Sequence, residues 1–411
     1  MRKCPDCSMV GFESKASLRR HRRAVHGFVV CDCRRKFLKS EYMAQHRAMS
    51  RVHNGFSNQF AASSSLIRSF QGLAIASTPD LYSLQRDEVD TFISNYIQVD
   101  SPFRYCCGEV IDTLVRKLHQ IVEFAAKLEP REIIKSGSLG KGTAVKDRAD
   151  IDLVVMLNNY RDVEQLMRDM EGLLEQLERY LLRFTQARHQ RRTRYSVQVE
   201  ITCSSGHTHD VDILPAVDLL GLGSSRKEIF QKMKYASKVD IHEYSVSLAP
   251  LQLGIIKPLP AKVKSLIKLL KYWKDKKLKE RNEAEMPSFA ERKTSSPNWP
   301  SSYALELVVI NAWNDAGNPE DFEMTKILHA VLTSLVNHKN FRIVLKRQME
   351  YSMDIVQISK TPYIMDPANP FNDMYHGLVG GKAFNWEQVV PEAKVWLSKP
   401  LFFGDNSSKL W

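Results

Sequence analysis

The stretch from residue 136 to residue 157 constrains this chain more than any other. It begins with a glycine-rich turn, Ser-Gly-Ser-Leu-Gly-Lys-Gly-Thr, and ends in the apolar run Ile-Asp-Leu-Val-Val-Met-Leu. The β-branched run predicts a strand buried on both faces. Asp150 and Asp152 stand two residues apart at its head, so both carboxylates point to the same side. Such like charges repel unless a cation lies between them, and carboxylate oxygens suit Mg²⁺.

Residues 197–218 supply a further acidic pair. They predict two adjacent strands joined by a turn at residues 204–208, with Asp210 and Asp212 on one face of the second strand. A Gly-Ser turn, eleven residues, Asp-x-Asp and a distant strand aspartate form the pattern of polymerase-β-type nucleotidyltransferases. An isolated Asp-x-Asp is more often a solvated strand end, but the glycine turn and the second acidic strand favour the catalytic interpretation. The glycines also let backbone N–H groups approach a triphosphate closely.

The net charge of +12 is concentrated near the N-terminus. Residues 1–53 hold 13 Lys or Arg against 4 Asp or Glu, a net charge of +9. A small module this basic points towards nucleic acid. The sequence has neither an early apolar segment nor an 18-residue apolar run, so no signal peptide or membrane span is predicted. Four of the seven cysteines have metal-like spacings, which suits a reducing compartment, and we expect a cytoplasmic location with nuclear entry also allowed.

Residues 1–53 contain two potential zinc-binding units. The first has the pattern Cys-x2-Cys-x13-His-x4-His of a Cys2His2 zinc finger, and the second reads Cys-x-Cys-x12-His-x6-His, with an unusually short cysteine spacer. Modules this small need a metal to supply their folding free energy. The predicted ligands are Cys4, Cys7, His21 and His26 in the first unit and Cys31, Cys33, His46 and His53 in the second. The wide second histidine gap is similar to fingers that bind double-stranded RNA (dsRNA), and a finger pair that binds protein is the alternative.

The remaining chain is predicted to be a linker followed by mostly helical segments around the acidic strands. Residues 54–79 read as the linker, and residues 257–279 hold nine lysines against one acid. A helix beginning after Pro260 places Lys264, Lys268 and Lys271 on one face. That face could bind triphosphates or an RNA backbone, or it could simply be solvated. Further buried helices are expected at 303–313 and 328–336, and a turn-rich segment at 366–373.

Taken together and in this order, these pieces resemble the 2′-5′-oligoadenylate synthetases, relatives of the cyclic GMP-AMP synthase, from about residue 80 to the C-terminus. The matching stretches are Gly-Ser-Leu-Gly-Lys-Gly-Thr (137–143), Asp-Ile-Asp-Leu-Val-Val (150–155), Asp-Val-Asp-Ile-Leu-Pro-Ala-Val-Asp (210–218), Val-Lys-Ser-Leu-Ile-Lys-Leu-Leu-Lys-Tyr-Trp (263–273), Tyr-Ala-Leu-Glu-Leu (303–307) and Asp-Pro-Ala-Asn-Pro (366–370). The resemblance implies an α+β fold. A polymerase-β-type nucleotidyltransferase core, a central mixed sheet with helices, would span residues 80–255, and a helical domain residues 256–411, both preceded by the small zinc fingers.

The resemblance also implies an activity and a set of site residues. The activity is a dsRNA-activated synthesis of 2′-5′-linked oligoadenylates from ATP, with release of pyrophosphate, in innate antiviral signalling. Asp150, Asp152 and Asp212 would hold two Mg²⁺ ions, and Asp210 would not be a metal ligand. The implied substrate contacts are Gly137, Ser138, Lys268, Lys271 and Tyr303, with Tyr303 stacking on an adenine. The implied dsRNA contacts are Lys141, Lys257 and Lys262.

Two departures keep other functions open. Ser302 stands where the family commonly has glutamine beside the stacking tyrosine, and the vertebrate synthetases lack N-terminal fingers. The alternatives are an RNA-activated cyclic dinucleotide synthase, a catalytically inactive dsRNA-binding platform and, more remotely, an enzyme that extends RNA ends. We expect dsRNA lying across Lys141, Lys257 and Lys262 to shift the glycine-rich turn and bring Asp150 and Asp152 within range of Asp212.

Overall fold

The computed structural model describes residues 78–146, 149–281, 298–356, 360–377 and 383–403, with side chains except at 238–240. It also describes the backbone of two short antiparallel pairs near the N-terminus. These pair β1 (Arg2–Lys3) with β2 (Val10–Phe12) and β3 (Val29–Val30) with β4 (Lys36–Phe37). The predicted zinc ligands and nearly all of the predicted linker lie outside the described residues, so both remain predictions. No helix among the described residues is long and apolar enough to cross a membrane.

A five-stranded mixed sheet forms the centre of the molecule. Its strands are β5 (Pro130–Lys135), β6 (Ile151–Leu157), β7 (Ala187–Arg192), β8 (Val197–Thr202) and β9 (Thr208–Val217). They lie in the order β5-β6-β9-β8-β7, and the β6/β9 pair is parallel while its neighbours are antiparallel. The apolar run after Asp152 is buried along β6, as its sequence predicts, because helices cover the sheet.

Helices surround this sheet and make up most of the chain beyond it. Asp100 accepts a hydrogen bond from the Phe103 backbone N–H, and this cap together with Pro102 starts a helix at Ser101. The helices are α1 (Val89–Phe92), α2 (Ser101–His119), α3 (Gly137–Lys141), α4 (Val163–Phe184), α5 (Arg226–Met233), α6 (Lys238–Ser247), α7 (Ala249–Ile256), α8 (Ala261–Trp273), α9 (Ser302–Asp315), α10 (Met324–Val336) and α11 (Val389–Leu397).

The largest hydrophobic core of the described residues extends from Leu81 to Phe402 and joins the sheet to the C-terminal helices. Helix α8 begins after Pro260, as predicted, and buries an apolar stripe that includes Leu266 and Leu270. The predicted α+β fold, with a mixed sheet and a helical C-terminal part, is confirmed.

One C-terminal prediction differs from the structure. Residues 366–373 lie mostly within a β-hairpin of β11 (Tyr363–Asp366) and β12 (Asn369–Asp373), with β10 (Arg342–Ile343) beside β11. The prolines and asparagines that suggested a turn-rich segment occupy the turn and second strand of this hairpin.

Candidate active site

The strand register brings the predicted carboxylates together. Asp152 in β6 lies directly opposite Asp212 in the parallel strand β9. Because side chains alternate along a strand, Asp210 shares a face with Asp212, and Asp150 precedes Asp152 by two positions. Gln198 in β8 donates a hydrogen bond of 3.1 Å to Asp212 Oδ2. Gln190 donates to Asp210, so Asp210 is held from strand β7, which lies on the far side of β8.

The glycine-rich turn lies directly beneath Asp152. Gly137 begins α3 with φ of +57°, and a Cβ atom built on it would lie 1.7 Å from Asp152 Oδ2. The Ser136 backbone N–H donates to the Asp152 carbonyl at 2.9 Å, which fixes the turn against the strand. Only glycine therefore fits at this position with the carboxylate where it is.

The carboxylates perturb one another. Burial, and then the charges of Asp212 and Asp150, raise the pKa of Asp152 to about 7. Burial, followed by Asp210 and Asp212, also raises the pKa of Asp150. The Asp212 Oδ1 atom is buried and has no hydrogen-bond partner among the described residues. An orphaned carboxylate oxygen beside two further carboxylates is a donor set that fits Mg²⁺.

A buried ion network connects this turn to the C-terminal helices. Glu306 in α9 is 1% exposed and accepts from Thr143 Oγ1 at 2.9 Å and from Lys141 Nζ at 3.3 Å. It also pairs with Lys271 of α8, whose Nζ lies 3.0 Å from Thr143 Oγ1. Burial would raise the pKa of Glu306, but Lys141 and Lys271 hold it below its usual value. Lys271, an implied triphosphate contact, therefore has a carboxylate partner in this structure.

Tyr303 is anchored beside this network. Its hydroxyl donates to Asp366 Oδ1 at 2.8 Å, and Lys141 Nζ lies 4.0 Å from the centre of its ring. Burial, followed by the Asp366 charge, raises the pKa of Tyr303 well above its usual value. The ring borders the cleft, where the implied stacking with an adenine remains a prediction.

The three implied RNA contacts do not share one exposed surface. Lys141 is 8% exposed, and its ammonium faces Glu306 and Tyr303 rather than solvent. Lys257 is exposed at the end of α7, and Lys262 forms a 2.6 Å ion pair with Asp321. An RNA contact needs an exposed lysine, whereas Lys141 is buried in this conformation. The buried carboxylate of Glu306 attracts its charge inward.

Two further predicted substrate contacts, on α3 and α8, are not among the residues that line the cleft. Ser138 lies in the first turn of α3, next to Gly137, where its side chain is half-buried. Lys268 of α8 has no acidic partner among the described residues, and burial, then Arg104, Lys264 and Lys271, lower its pKa. Unpaired positive charge at this position suits a phosphate ligand. Ser302 Oγ accepts from Lys274 Nζ at 2.9 Å and does not line the cleft either.

Asp152, Asp212 and Tyr303 line one cavity of about 390 Å³, a size typical of small-ligand sites. Several of its supporting residues were not singled out from the sequence. His242 lines the cavity, and burial lowers its pKa. Asp366 is fully buried and accepts from Gln252 Nε2 at 3.2 Å and Asn372 Nδ2 at 3.0 Å. For Glu306 the sequence did offer one signal, because a charged residue stands there within an otherwise apolar helical stretch.

Comparisons with known proteins agree with this geometry. Residues 115–199 match the family described as nucleotidyltransferase domain, and residues 224–411 match the family described as 2′-5′-oligoadenylate synthetase 1, domain 2, C-terminus. The chain is 27% identical to 2′-5′-oligoadenylate synthase 1A of Mus musculus over 362 residues, covering 80% of this chain and 92% of that protein. It is 26% identical to 2′-5′-oligoadenylate synthase 2 of Mus musculus, covering 76% of this chain but only 43% of that protein.

Among solved structures, CdnC of E. coli MS115-1, in a complex with HORMA-deltaN, is similar in fold. Its TM-score is 0.51 and its identity 22%, over 76% of this chain and 89% of that chain. The acidic strands, the glycine turn and the matching families lead to one conclusion. The chain is an enzyme, a nucleotidyltransferase of the 2′-5′-oligoadenylate synthetase-like type.

Proposed function

We propose that the enzyme is activated by dsRNA and joins ATP units into 2′-5′-linked oligoadenylates, as part of innate antiviral signalling in the cytoplasm or nucleus. The observation that carries the proposal is the register that sets Asp152 opposite Asp212, with Gly137 beneath and Asp150 at the head of the strand. The similarity to named oligoadenylate synthases over four-fifths of the chain supports the product class.

The reaction requires no template. The 2′-hydroxyl oxygen of the acceptor attacks the α-phosphorus of the donor ATP, and a new P–O bond forms. The bond to the bridging oxygen of the β-phosphate breaks, pyrophosphate leaves, and the hydroxyl proton is lost. The transition state carries extra negative charge on phosphate oxygens, so cations around the donor triphosphate lower its free energy.

The chain offers residues for each of these tasks. Asp150, Asp152 and Asp212 would hold two Mg²⁺ ions, which when bound activate the attacking hydroxyl and neutralise the leaving pyrophosphate. Gly137 and Ser138 would let backbone N–H groups reach the donor phosphates. Lys264 and Lys268 have no acidic partner among the described residues, and Lys264 donates to the Lys257 carbonyl instead. Lys268 would therefore bind a triphosphate oxygen at the least cost in broken contacts.

The positions of three lysines support the proposed activation by RNA. Lys141 belongs to the catalytic turn, yet its ammonium is held by Glu306 in α9. An RNA phosphate that competes for Lys141 would therefore change the turn that carries Gly137. Lys257 and Lys262 lie near the start of α8 and would supply further phosphate contacts, while the predicted fingers would add affinity through linkage of two weak sites.

The proposal is tested by incubating the purified full chain with Mg²⁺, ATP and GTP, with and without long dsRNA. Products are resolved by chromatography and digested with linkage-specific nucleases. Linear 2′-5′ oligoadenylates that appear only with dsRNA support the proposal. The matched control is Asp212→Asn, which keeps the shape of the strand but removes one charge, and we expect it to form no product.

Other outcomes overturn parts of the proposal. A cyclic or mixed-base product with dsRNA would make the chain an RNA-activated cyclic dinucleotide synthase. Addition of nucleotides to RNA ends would make it an enzyme that extends RNA. RNA binding without any turnover would make it a dsRNA-binding platform, and the three aspartates would then have no catalytic role.

A further inference from the structure

Three cysteines and two histidines cluster where the β8–β9 hairpin packs against helix α2, outside the catalytic cleft. Cys106 and Cys107 are neighbours on α2, and both are 1% exposed. Cys203 directly follows β8, and His207 directly precedes β9. Sγ of Cys106, Sγ of Cys203 and a ring nitrogen of His207 all lie within 4.8 Å of one another.

The hairpin turn holds two of these groups in a fixed relation. The Cys203 backbone N–H donates to the His207 carbonyl at 2.8 Å, and the Gly206 N–H donates to the Cys203 carbonyl at 3.0 Å. Gly206 has φ of +85°, which closes the turn tightly. The two side chains therefore project together towards α2, as ligands on a metal-binding turn do.

The donor types and their separations suit zinc. Zn²⁺ prefers thiolate and imidazole ligands in tetrahedral geometry, with bonds of about 2.3 Å to sulfur and about 2.0 Å to nitrogen. Such bonds hold neighbouring ligand atoms roughly 3.5 to 3.8 Å apart. Atoms that already lie within 4.8 Å of one another reach this arrangement through small side-chain movements.

A tetrahedral site needs a fourth ligand, and Cys107, which lies outside the three mutually close atoms, is the adjacent thiol on α2. It follows Cys106 on α2, and its Sγ lies 3.5 Å from Nδ1 of the buried His209. The His209 ring packs against Phe103 of the same helix, with ring centres 5.4 Å apart. His209 can thus donate a hydrogen bond to the Cys107 sulfur from outside the ligand set, and such outer partners orient metal ligands.

We propose that Cys106, Cys107, Cys203 and His207 bind a structural zinc ion that fastens the β8–β9 hairpin to α2. This site is separate from the zinc fingers predicted within residues 1–53. Since β9 begins directly after His207 and runs through Asp210 to Asp212, the ion also fixes the start of the strand that carries a proposed catalytic carboxylate. The site is independent of the identity of the reaction product.

The test uses the full chain with Cys4, Cys7, Cys31 and Cys33 replaced by serine, so that the predicted fingers contribute no zinc. The chain is expressed in zinc-supplemented medium and purified, and its zinc content is measured by mass spectrometry. We expect about one zinc per chain, and a drop to near zero when Cys203→Ser and His207→Ala are added. The control is His119→Ala, an exposed histidine at the end of α2, which leaves the zinc content unchanged.

X-ray absorption at the zinc edge keeps the proposal testable even if the ligand variants fold poorly. In the chain that lacks only the four finger cysteines, we expect three sulfur ligands and one nitrogen ligand. Cys107→Ser should lower the sulfur number by one, and an unchanged number would overturn Cys107 as a ligand. A folded chain without zinc, or a disulfide between Cys106 and Cys203 found by peptide mass spectrometry, would overturn the site.

Discussion

At Gly137 the backbone lies directly against Asp152, one of the three carboxylates of the candidate active site. The Gly137 Cα lies against the Asp152 carboxylate, and a Cβ atom there would overlap Oδ2 at 1.7 Å. In Gly137→Ala, either Asp152 or the turn must move by about 1 Å or more. Because misplacement on that scale costs on the order of 100-fold in rate, we expect kcat to fall at least that far. The measurement is steady-state nucleotide transfer.

Gly223→Ala is the matched control for this substitution. Gly223 also has positive φ, +81°, but nothing lies within 4 Å of the Cβ position. The backbone cost is similar in both variants, roughly 1–2 kcal/mol for a left-handed alanine. Gly223→Ala should therefore lose stability and keep its kcat. Equal losses of kcat in the two variants would contradict a steric role for Gly137.

Asp152 predicts a pH dependence of stability that Mg²⁺ should change. Its pKa in the folded chain is raised to about 7 by burial and by Asp212 and Asp150, whereas an unfolded aspartate titrates near about 3.9. Between these values the folded chain holds a proton that the unfolded chain has released. The metal-free protein should therefore lose stability as the pH rises from about 4 to about 7.

Mg²⁺ binds the deprotonated carboxylate, so the rise in Tm that it gives should be larger at pH 8 than at pH 6. Calorimetry with EDTA and with Mg²⁺ measures both effects. Asp152→Asn should flatten the metal-free slope, while Asp112→Asn, at an exposed position on α2, should leave it unchanged. An equal Mg²⁺ effect at the two pH values would contradict this prediction.

At the scale of elements, Glu306 joins the catalytic turn to α8 and α9. Its carboxylate is the acceptor for Lys141 and Thr143 and pairs with Lys271, and all of these groups are buried. Glu306→Gln leaves two buried ammonium groups facing a neutral amide. Breaking a buried ion pair in this way costs about 3–5 kcal/mol, so a decrease of that size in the free energy of unfolding is expected from urea titration.

An exposed ion pair provides the comparison for Glu306→Gln. Lys262 pairs with Asp321, whose side chain is 93% exposed. Because solvent screens such pairs, Asp321→Asn should cost at most about 1 kcal/mol. A cost for Glu306→Gln as small as that of Asp321→Asn would show that the buried network contributes little to stability.

The order of neighbouring residues was sufficient to predict the strands that carry the candidate active site. The Asp-x-Asp spacing, the apolar run of β6 and the turn between β8 and β9 are all properties of neighbouring residues, and each corresponds to an observed element. The same holds for α8, whose buried stripe follows from a 3.6-residue period. The direct pairing of Asp152 with Asp212 is different, because strand register is set by packing between distant segments.

The sequence could not predict which distant residues contact one another across the core. Periodicity indicates which side of a helix is buried, but not which charge it meets. Lys141 therefore reads as a surface lysine until Glu306, 165 residues away, is placed beside it. The sequence predicts Asp366 as part of a turn. In the structure it is buried and accepts a hydrogen bond from Tyr303, so it holds a residue that lines the cleft. Both cases depend on contacts across the core.

At the scale of the whole molecule, the charge is divided between two parts of the chain. Residues 1–53 carry a net charge of +9, and the remaining residues carry +3 of the total of +12. Among the described residues after position 80, several of the lysines implied as substrate or RNA contacts have acidic partners, as Lys141, Lys271 and Lys262 do. Under the proposed function, the electrostatic component of RNA affinity should come mainly from residues 1–53, and the response to bound RNA should come from the part of the chain after residue 80.

This division predicts that removal of residues 1–53 weakens dsRNA binding without abolishing activation. The shortened chain should bind at least about tenfold more weakly, because one of two linked sites is lost. Its affinity should also fall less steeply with salt, because fewer phosphate contacts release counterions. At saturating dsRNA its rate of oligoadenylate synthesis should equal that of the full chain. Binding isotherms at several salt concentrations, paired with turnover at saturating RNA, measure both quantities. An unchanged salt slope would place the RNA contacts on the catalytic part instead, and a lost saturated rate would make residues 1–53 part of the catalytic machinery.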